Sequence, residues 1–384
     1  MTITIKFRWF TTGAMFGILC LALFGLVGGI DAADRLTEAV DALVEEEDIT
    51  EDGPGVAVMI IQPGEINFRK AYGVADLKTK APITPRTMFE LASVSKMFTA
   101  TAILILHERG LLSIDDDVRK YVPELPTYRS GPMLIRDLLH HTSGLPDYME
   151  FEDPPARNRT YWVNEDYVGE FARQQSDFPL EFAVGRKYEY NNSNYLLLGT
   201  IIARVSKKSY GTFLREEIFE PAGMRHTFVY ESPQAVPQPP PAGCIRATAY
   251  QDDDDEWKAG WGAPPARHEK YLSVGDGGVW SNLEDMAAWD VAERTGSLLQ
   301  DATRELAFQP GRTRDGRKQE YACGRELEFE NGELVGYGHD GSWDGFRTLY
   351  WRDLANDRTT ILLGNRDDFD PYEILESLDE LLEE

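Results

Sequence analysis

Strand-forming segments stand at both ends of this chain, and they constrain its fold more than any other feature. Runs rich in β-branched and aromatic residues occupy 55–62 and 66–74 near one end, and 345–352 and 359–364 near the other. Short helical patterns fill most of the sequence between them. This order predicts an α+β fold: one antiparallel sheet built from both ends of the chain and flanked by helices, with a mostly helical domain inserted between its halves.

The same pattern places the domain boundaries. The sheet domain is expected to comprise residues 34–110 and 270–384, and the helical domain residues 111–269, where loops rich in proline, aspartate and aromatic residues separate short helices. Within the helical domain, the acidic run at 252–256 is interpreted as a solvated loop.

Residues 1–33 have the composition of a targeting segment. Lys6 and Arg8 precede a charge-free run over 11–30, and two alanines at the end of the segment are small enough for cleavage. A cleaved signal peptide is the favoured interpretation, but the run is also long enough to stay in a bilayer as an anchor. Both alternatives predict an exported protein, periplasmic or secreted in the first case and touching the membrane only through this segment in the second.

The chain is strongly acidic, with a net charge of −26 at pH 7. Nucleic-acid binding requires a basic surface, so this charge excludes a nucleic acid as the partner. Beyond residue 33 the cysteines are Cys244 and Cys323, which are able to pair in an oxidising compartment, although nothing in the sequence sets the distance between them. There is no Cys/His cluster with metal-ligand spacing and no glycine-rich phosphate loop, so neither a metal nor an organic cofactor is expected.

A candidate nucleophile stands where an apolar helical run begins. Ser93 and Lys96 are three residues apart at the start of a run that extends to Gly110, so their side chains share one face of the predicted helix. A lysine shielded from water can lose its proton and activate a serine, and the free N–H groups at a helix start favour a developing oxyanion. The alternative, which this motif by itself does not exclude, is that Ser93 only caps the helix and Lys96 is solvated.

Tyr190 and Asn192 form a second polar pair, just before another apolar helical run. A phenol can relay a proton when a nearby ammonium lowers its pKa, and an asparagine can orient a lysine or hold a carbonyl substrate. The alternative is that Asn192 only caps the following helix and Tyr190 only packs.

A third polar stretch, His339-Asp340-Gly341-Ser342, precedes the predicted strand at 345–352. Its glycine would let a substrate lie close against an edge strand, and the backbone N–H of Ser342 would complete an oxyanion hole. The alternative is a hairpin turn that carries a surface histidine.

Three motifs therefore occur in the order in which a known family has them: Ser93-x-x-Lys96, Tyr190-x-Asn192 and His339-x-Gly341. Together they resemble the serine hydrolases of the β-lactamase and penicillin-binding-protein superfamily, in the branch of class C β-lactamases, D-aminopeptidases and related esterases. The stretches 135–146 and 275–281 are similar to segments that frame the cleft in that family. The resemblance covers roughly residues 35–380, nearly the whole chain after the targeting segment.

The resemblance implies covalent acyl transfer without a metal or an organic cofactor. Ser93 would attack the carbonyl group of a small ester, an amide or a short peptide, Lys96 would activate it, and Tyr190 would pass a proton to the leaving group. Asn192 would position Lys96 and the substrate. The N–H groups of Ser93 and Ser342 would stabilise the oxyanion.

One departure from the family pattern concerns the substrate. Class C β-lactamases have Lys-Thr-Gly at the third motif, where the lysine holds the carboxylate of the antibiotic, whereas this chain has His339-Asp340-Gly341. His339 and Gly341 are expected to contact the substrate. Because a neutral histidine attracts an anion poorly, the enzyme is expected to hydrolyse esters or small amides and to turn over β-lactams weakly. Arg347 would restore anion binding if it reaches the cleft. A D,D-peptidase, a β-lactamase and an inactive binding module are the alternatives, and the intact motifs argue against the last.

Overall fold

The computed structural model describes residues 32–151, 161–173, 180–232, 243–253, 256–260 and 271–383. The expected targeting segment lies outside the described residues, apart from its last two positions. Among the helices in the described ranges, none combines the length and the apolar character that a membrane crossing requires.

The strands vary from two to eleven residues in length. In chain order they are β1 (Val56–Ile61), β2 (Ile66–Ala71), β3 (Val74–Asp76), β4 (Ala81–Pro82), β5 (Phe89–Glu90), β6 (Phe228–Val229), β7 (Tyr250–Asp253), β8 (Glu256–Ala259), β9 (Val279–Ser281), β10 (Glu326–Glu330), β11 (Glu333–Trp343), β12 (Phe346–Asp353) and β13 (Arg358–Gly364).

The helices lie before, between and after these strands. They are α1 (Ala32–Glu46), α2 (Ser95–Glu108), α3 (Ile135–Leu139), α4 (Asn164–Arg173), α5 (Asn192–Ser206), α6 (Tyr210–Leu214), α7 (Glu220–Ala222), α8 (Leu283–Thr295), α9 (Asp301–Ala307) and α10 (Pro371–Glu383). Short 3-10 turns at Ala92–Val94, Val118–Lys120 and Tyr148–Glu150 and a π-helical turn at Arg215–Phe219 complete the helical structure of the described residues.

A six-stranded sheet, with strand order β10-β11-β12-β13-β1-β2, dominates the described residues. All its neighbouring strands are antiparallel, and the pairing of β1 with β13 places Val58 opposite Leu362. The predicted α+β fold, with its sheet assembled from both ends of the chain, is therefore confirmed. β1 and β13 are buried along their whole length because helices cover both faces at the centre of the sheet.

The two faces of this sheet pack into separate apolar cores. On the outer face, Val58, Ile60 and Leu362 pack with apolar residues of α1 and α10. On the inner face, the alternate residues Met59 and Ile361 belong to a larger core that includes α2, α5 and α8. This alternation follows from the two-residue period of a strand. The inner core therefore supports the helix start that carries Ser93.

The middle of the chain is mostly helical, as predicted, and contains α3 to α7, but it also contributes short strands. β6 joins β5 and β9 in a three-stranded sheet, and β7 pairs with β8. Of the run 252–256, expected as a loop, residues 252, 253 and 256 belong to these strands with their side chains exposed. Strands of two to four residues are too short to leave a clear period in a sequence. The boundary placed after residue 269 lies outside the described residues and stays a prediction.

Cys244 and Cys323 are both buried and do not form a disulfide with each other. The thiol of Cys323 instead lies 3.5 Å from the carbonyl oxygen of Leu306, to which it donates a hydrogen bond. The pairing that the sequence left open is therefore not part of this fold.

Candidate active site

Ser93 lies in the 3-10 turn Ala92–Val94, which leads directly into α2. The chain turns sharply at Ala92, whose φ of 47° is rare for a residue with a side chain. Thr348 of β12 donates a hydrogen bond from Oγ1 to the Leu91 carbonyl oxygen at 2.9 Å and holds this corner against the sheet. Ser93 is therefore presented, partly exposed, at the start of a helix whose next residues are buried.

Lys96 lies one turn further along α2 and is fully buried. Its Nζ is 2.9 Å from Ser93 Oγ and 3.0 Å from both Asn192 Oδ1 and the Asp276 carbonyl oxygen. The amide and carbonyl oxygens can only accept hydrogen bonds, so a neutral amine must direct both of its protons to them. Its lone pair then points at the Ser93 hydroxyl. This geometry enables Lys96 to accept the serine proton, and it rules out the alternative of a solvated lysine.

Burial lowers the pKa of the Lys96 ammonium to about 8, from the 10.5 that is usual for lysine. The negative charges of Asp276, Asp147 and Asp340 raise this pKa and so limit the effect of burial. A pKa near 8 leaves about a tenth of the lysine side chains neutral at pH 7, which is suitable for a general base.

The orientation of Asn192 depends on Asp147, a residue that lies outside the three motifs. Asp147 Oδ2 accepts hydrogen bonds from the backbone N–H of Asn192 at 2.9 Å and from its Nδ2 at 3.1 Å. Because an ionised carboxylate only accepts hydrogen bonds, it fixes the amide with Nδ2 toward Asp147 and Oδ1 toward Lys96. The helix is capped by the side chain of Asn191 instead, which rules out the capping alternative for Asn192. The motifs in the sequence did not identify Asp147. Its position directly after the stretch 135–146 is the signal that could have indicated it.

Tyr190 lies beside Lys96, with its ring centroid 4.9 Å from Nζ. Its hydroxyl is shielded from solvent and makes no hydrogen bond to the described part of the chain. Burial raises the pKa of the Tyr190 phenol well above its usual value, while the neighbouring Ser93 hydroxyl acts in the lowering direction. The expected lowering of this pKa by an ammonium is therefore wrong, because the loss of solvation outweighs the nearby charge. Tyr190 is a neutral phenol, which can donate a proton but is a poor base.

An aromatic cluster holds Tyr190 in place. His141 stacks on its ring with 4.5 Å between centroids, and Tyr321 and His339 contact it at 6.1 Å and 5.9 Å. His141 Nδ1 accepts a hydrogen bond from the Asn191 N–H at 3.0 Å. Burial holds the pKa of His141 well below its usual value, so the ring stays neutral and keeps this acceptor. His141 belongs to the stretch 135–146, but the sequence did not reveal this contact.

His339 is buried behind Tyr190 and does not line the cleft, since only 1% of its surface is accessible. Its Nδ1 donates a hydrogen bond to the Asp340 carbonyl oxygen at 2.7 Å, and its Nε2 is 3.1 Å from the Tyr321 hydroxyl. The expected contact of His339 with substrate is therefore wrong for this arrangement. The motif lies inside β11, and not before a strand, so the alternation of the strand turns this side chain into the inner core.

Gly341 lies in β11 where the strand passes the corner before Ser93. A side chain at this position would collide with the Leu91 carbonyl oxygen and with Thr348 Oγ1. Glycine is required here because no other residue permits such a close approach. Gly341 therefore brings the sheet edge and the candidate nucleophile together.

The backbone N–H of Ser342 is available to a ligand at this edge. The β11–β12 hairpin closes at Trp343, one residue further on. In a two-residue hairpin, the residues that flank the turn, here Trp343 and Phe346, exchange backbone hydrogen bonds. Because hydrogen-bonded and non-hydrogen-bonded pairs alternate along an antiparallel pair of strands, the N–H of Ser342 points away from β12. On the other side, β10 pairs with β11 no further than Gly338. This N–H and that of Ser93, which lies at a helix start, are suited to bind one oxyanion.

Asp276 is a further buried group beside Lys96, located in the stretch 275–281. Its backbone carbonyl accepts the hydrogen bond from Lys96, and its Oδ2 accepts one from the Tyr148 hydroxyl at 2.7 Å. Its Oδ1 has no hydrogen-bond partner in the described ranges. Burial raises the pKa of this carboxyl. Asp276 thus supplies both an acceptor and a negative charge to the lysine, neither of which the sequence pattern specified.

A group of side chains in the described residues has the composition of a metal site. Ligand atoms of Glu326, His339 and Asp340 lie within 4.8 Å of one another. These atoms already have other partners, because both nitrogens of His339 are hydrogen-bonded and Glu326 accepts from the Tyr372 hydroxyl. Hydrogen bonding within the fold explains this group without a metal.

The fold and the site together define a class of protein. An antiparallel sheet flanked by helices, with a serine at a helix start and a buried lysine one turn on, is the arrangement of hydrolases that form an acyl-serine intermediate. The chain belongs to the β-lactamase family, since the family model described as "Beta-lactamase" matches residues 40–382. It is a β-lactamase-like serine hydrolase, as the motifs predicted.

Known relatives agree with this assignment. Penicillin-binding protein 4* of Bacillus subtilis (strain 168) is 32% identical over 338 residues, which cover 85% of this chain and 71% of that protein. The octameric penicillin-binding protein homologue from Pyrococcus abyssi superposes with a TM-score of 0.75 at 25% identity, over 91% of this chain and 78% of that chain. D-amino acid amidase from Ochrobactrum anthropi SV3, complexed with D-phenylalanine, superposes with a TM-score of 0.68 at 25% identity, over 91% and 98%.

Proposed function

We propose that this protein hydrolyses a small ester or amide through an acyl-Ser93 intermediate, with Lys96 as the general base. The observation that supports this most strongly is the hydrogen bonding of Lys96 Nζ, which leaves its lone pair directed at Ser93 Oγ, 2.9 Å away. Burial also lowers the pKa of Lys96 to about 8, so the neutral amine is available near neutral pH.

In the first step, Lys96 takes the proton of the Ser93 hydroxyl while Oγ bonds to the substrate carbonyl carbon. The oxyanion that forms accepts hydrogen bonds from the N–H groups of Ser93 and Ser342. As the C–O or C–N bond breaks, the Tyr190 phenol donates its proton to the leaving alcohol or amine and recovers a proton from the Lys96 ammonium. Water then attacks the acyl-Ser93 ester, which releases the acid and restores the serine hydroxyl.

Two similarities to known proteins bear on the substrate class, and they favour different substrates. The likeness to a D-amino acid amidase supports an amide, and the identity with a penicillin-binding protein supports the alternative of a cell-wall peptide or a β-lactam. We would measure the hydrolysis of p-nitrophenyl esters, D-amino-acid amides and a chromogenic cephalosporin in parallel. Ester or amide turnover well above cephalosporin turnover is expected. Efficient cephalosporin hydrolysis would instead favour the β-lactam alternative.

Labelling with a fluorophosphonate probe tests the nucleophile. Wild-type protein should be labelled, and Ser93→Ala should lose both labelling and about a thousandfold or more of its hydrolytic activity. Ser95→Ala is the matched control, because the Ser95 hydroxyl is buried in the same helix and accepts from the Val279 N–H at 3.3 Å. It should still be labelled. An unlabelled wild-type protein would indicate an inactive binding module.

We propose that the hydrolase acts outside the cytoplasm. The support is the sequence of residues 1–33, in which Lys6 and Arg8 precede a charge-free run. N-terminal sequencing of native material should begin near Asp34. An intact Met1 in the membrane fraction would show an uncleaved anchor, and intact protein in the cytosol would contradict export.

A further inference from the structure

We infer that a second cavity, distant from Ser93 on the inner face of the central sheet, binds a free amino acid with an apolar side chain. The cavity has a volume of about 730 Å³, which is typical of sites for small molecules. Its walls are formed by the end of α8, by α9, by β11 and by the end of β12 with the turn that follows. None of the described residues that line it belongs to the candidate active site. The inference therefore goes beyond the proposed function and does not depend on it.

The strand β11 shows how far this cavity lies from the reacting centre. Tyr337 lines the cavity, whereas Gly341, four residues further along the strand, adjoins the corner before Ser93. At about 3.3 Å per residue, the two positions are roughly 13 Å apart. Tyr337 stands directly opposite Arg352 of β12, which also lines the cavity, so both side chains are on the inner face of the sheet. The cavity is thus a separate site on the face that carries the active site.

Tyr337 supplies a polar group that the fold does not use. The residue is only 3% exposed, and its ring packs edge-to-face against Phe308 with 4.7 Å between centroids. Its hydroxyl makes no hydrogen bond to the described residues, whereas the nearby Tyr350 hydroxyl donates to Asp290 at 3.1 Å. Buried tyrosines usually have a hydrogen-bond partner for the hydroxyl. Because Tyr337 lines the cavity, a ligand in the cavity is suited to be that partner.

Arg304 of α9 supplies a positive charge to the cavity wall. Its Nη2 donates hydrogen bonds to the carbonyl oxygens of Glu293 and Arg294 at 2.9 Å and 3.2 Å, which fixes the guanidinium at the end of α8. It forms no ion pair within the described ranges. The other arginines that line the cavity, Arg294 and Arg352, both pair with Asp357. Arg304 is therefore held by one nitrogen and is suited to bind the carboxylate of a ligand.

The remaining lining groups indicate a zwitterion instead of a simple anion. Asp301 and Glu305 lie beside Arg304 in α9, line the cavity and are exposed, so they favour an ammonium group near the guanidinium. A chain with a net charge of −26 repels an anion, but a zwitterion has no net charge to repel. The apolar part of the ligand would pack against Phe308 and against Leu354, which is 40% exposed. A free amino acid with an apolar side chain combines these three properties.

The test is isothermal titration calorimetry with four related probes. D-phenylalanine and L-phenylalanine carry both charges, 3-phenylpropanoate lacks the ammonium group and 2-phenylethylamine lacks the carboxylate. At least one enantiomer of phenylalanine should bind about tenfold or more tightly than either single-charge analogue, because each analogue loses one charge-assisted contact. No measurable binding of either enantiomer at millimolar concentrations would overturn the site. Equally tight binding of 3-phenylpropanoate would overturn the assignment to a zwitterion.

Two substitutions locate the binding. Tyr337→Phe should weaken it about threefold to tenfold, because one hydrogen bond is lost, and should leave Tm unchanged because the hydroxyl bonds to no described residue. Arg304→Gln should weaken it about tenfold or more, and Arg304→Lys, which keeps the charge without the fork, should lose less. If Arg304→Gln lowers Tm by loosening the end of α8, the result for Tyr337→Phe decides.

Tyr121→Phe and Arg69→Gln are the matched controls. The Tyr121 hydroxyl donates to Asp116 at 2.6 Å in the helical part of the chain, and Arg69 is an exposed arginine on β2, the far edge strand of the central sheet. Both variants should bind phenylalanine as wild type does. An affinity that is unchanged in both Tyr337→Phe and Arg304→Gln would show that phenylalanine binds elsewhere, and would overturn the inference while leaving the proposed function intact.

Discussion

The two faces of the central sheet bury side chains of different kinds. On the outer face, apolar side chains such as Leu362 pack under α1 and α10, and Arg358 at the edge is paired with Asp353. On the inner side, Lys96 and Asp276 are buried, and the Tyr190 hydroxyl has no hydrogen-bond partner in the described ranges. Apolar burial on the outer face contributes stability, whereas the inner side holds polar groups whose pKa values are shifted by the loss of solvation.

This difference shows how the fold divides its tasks. The apolar packing behind the sheet lowers the free energy of the folded state without taking part in chemistry. The buried polar groups in front of it are kept in place by that packing, and their lost solvation makes them reactive. Substitutions on the two sides are therefore expected to change different observables.

The largest effect is expected from the proton-transfer pair on the inner side. Lys96→Ala should lower kcat/KM by about a thousandfold or more, because the proton acceptor for Ser93 is lost. Tyr190→Phe should lower it less, since only the proton donor to the leaving group is removed. The double variant should be little worse than Lys96→Ala, because residues that act as a unit lose activity non-additively. Independent, multiplicative losses in steady-state assays would contradict a shared proton path.

Leu362→Ala tests the opposite side. The free energy of unfolding, measured with urea, should fall by about 2–5 kcal/mol because a cavity opens in the outer core. The kcat/KM of the folded fraction should stay close to the wild-type value. Val291→Ala is the control, since this α8 side chain is 52% exposed and its loss should change stability by less than about 0.5 kcal/mol. An activity loss at Leu362→Ala as large as that at Lys96→Ala would remove the distinction between the faces.

The pH dependence of kcat/KM should report the inner side directly. The neutral form of Lys96 is the active one, and its pKa is lowered to about 8 by burial. Activity should therefore rise with pH, be about a hundredfold below its plateau at pH 6, and level off above pH 8. An acidic limb with a midpoint near pH 10.5, the usual value for lysine, would show that burial does not act on this amine.

The smallest effect is expected at Asp147, which acts through Asn192 and through its charge. Asp147→Asn should lower the plateau by about tenfold, because the amide that faces Lys96 loses its fixed acceptor. The midpoint of the pH profile should also move to lower pH by less than one unit, since the Asp147 charge raises the pKa of Lys96.

Asp117→Asn is the control. Asp147 also caps the 3-10 turn Tyr148–Glu150, where it accepts a hydrogen bond from the Met149 N–H, and Asp117 caps the turn Val118–Lys120 in the same way, accepting from the Arg119 N–H at 2.8 Å. Asp117→Asn should change neither the plateau nor the midpoint of the pH profile of kcat/KM.

Short-range features of the chain were readable from the sequence. Ser93 and Lys96 share a helix face because three residues make most of one turn, and this holds wherever the helix lies. The strands at 55–62 and 359–364 were recognised from their apolar, β-branched runs, and both lie in the central sheet as β1 and β13. The family motifs added the enzyme class, since their order along the chain is specific although each motif is short.

The electrostatic properties of the site were decided by contacts between distant segments. The carbonyl that binds Lys96 comes from Asp276, 180 residues away in the sequence, and Tyr148, which binds the Asp276 carboxyl, comes from a third segment. Local pattern could not reveal that Tyr190 is buried deeply enough to keep its proton. Nor could it show that His339 turns into the core.

The physical reason is the range of the forces involved. Helix and strand periods arise from backbone geometry within a few residues, so the sequence by itself determined the longer elements, the spacing of Ser93 and Lys96 and the order of the sheet ends. Desolvation and charge interactions depend on every group within several ångströms, whatever its position in the chain. The pKa of Lys96 and the orientation of Asn192 therefore exist only in the tertiary structure.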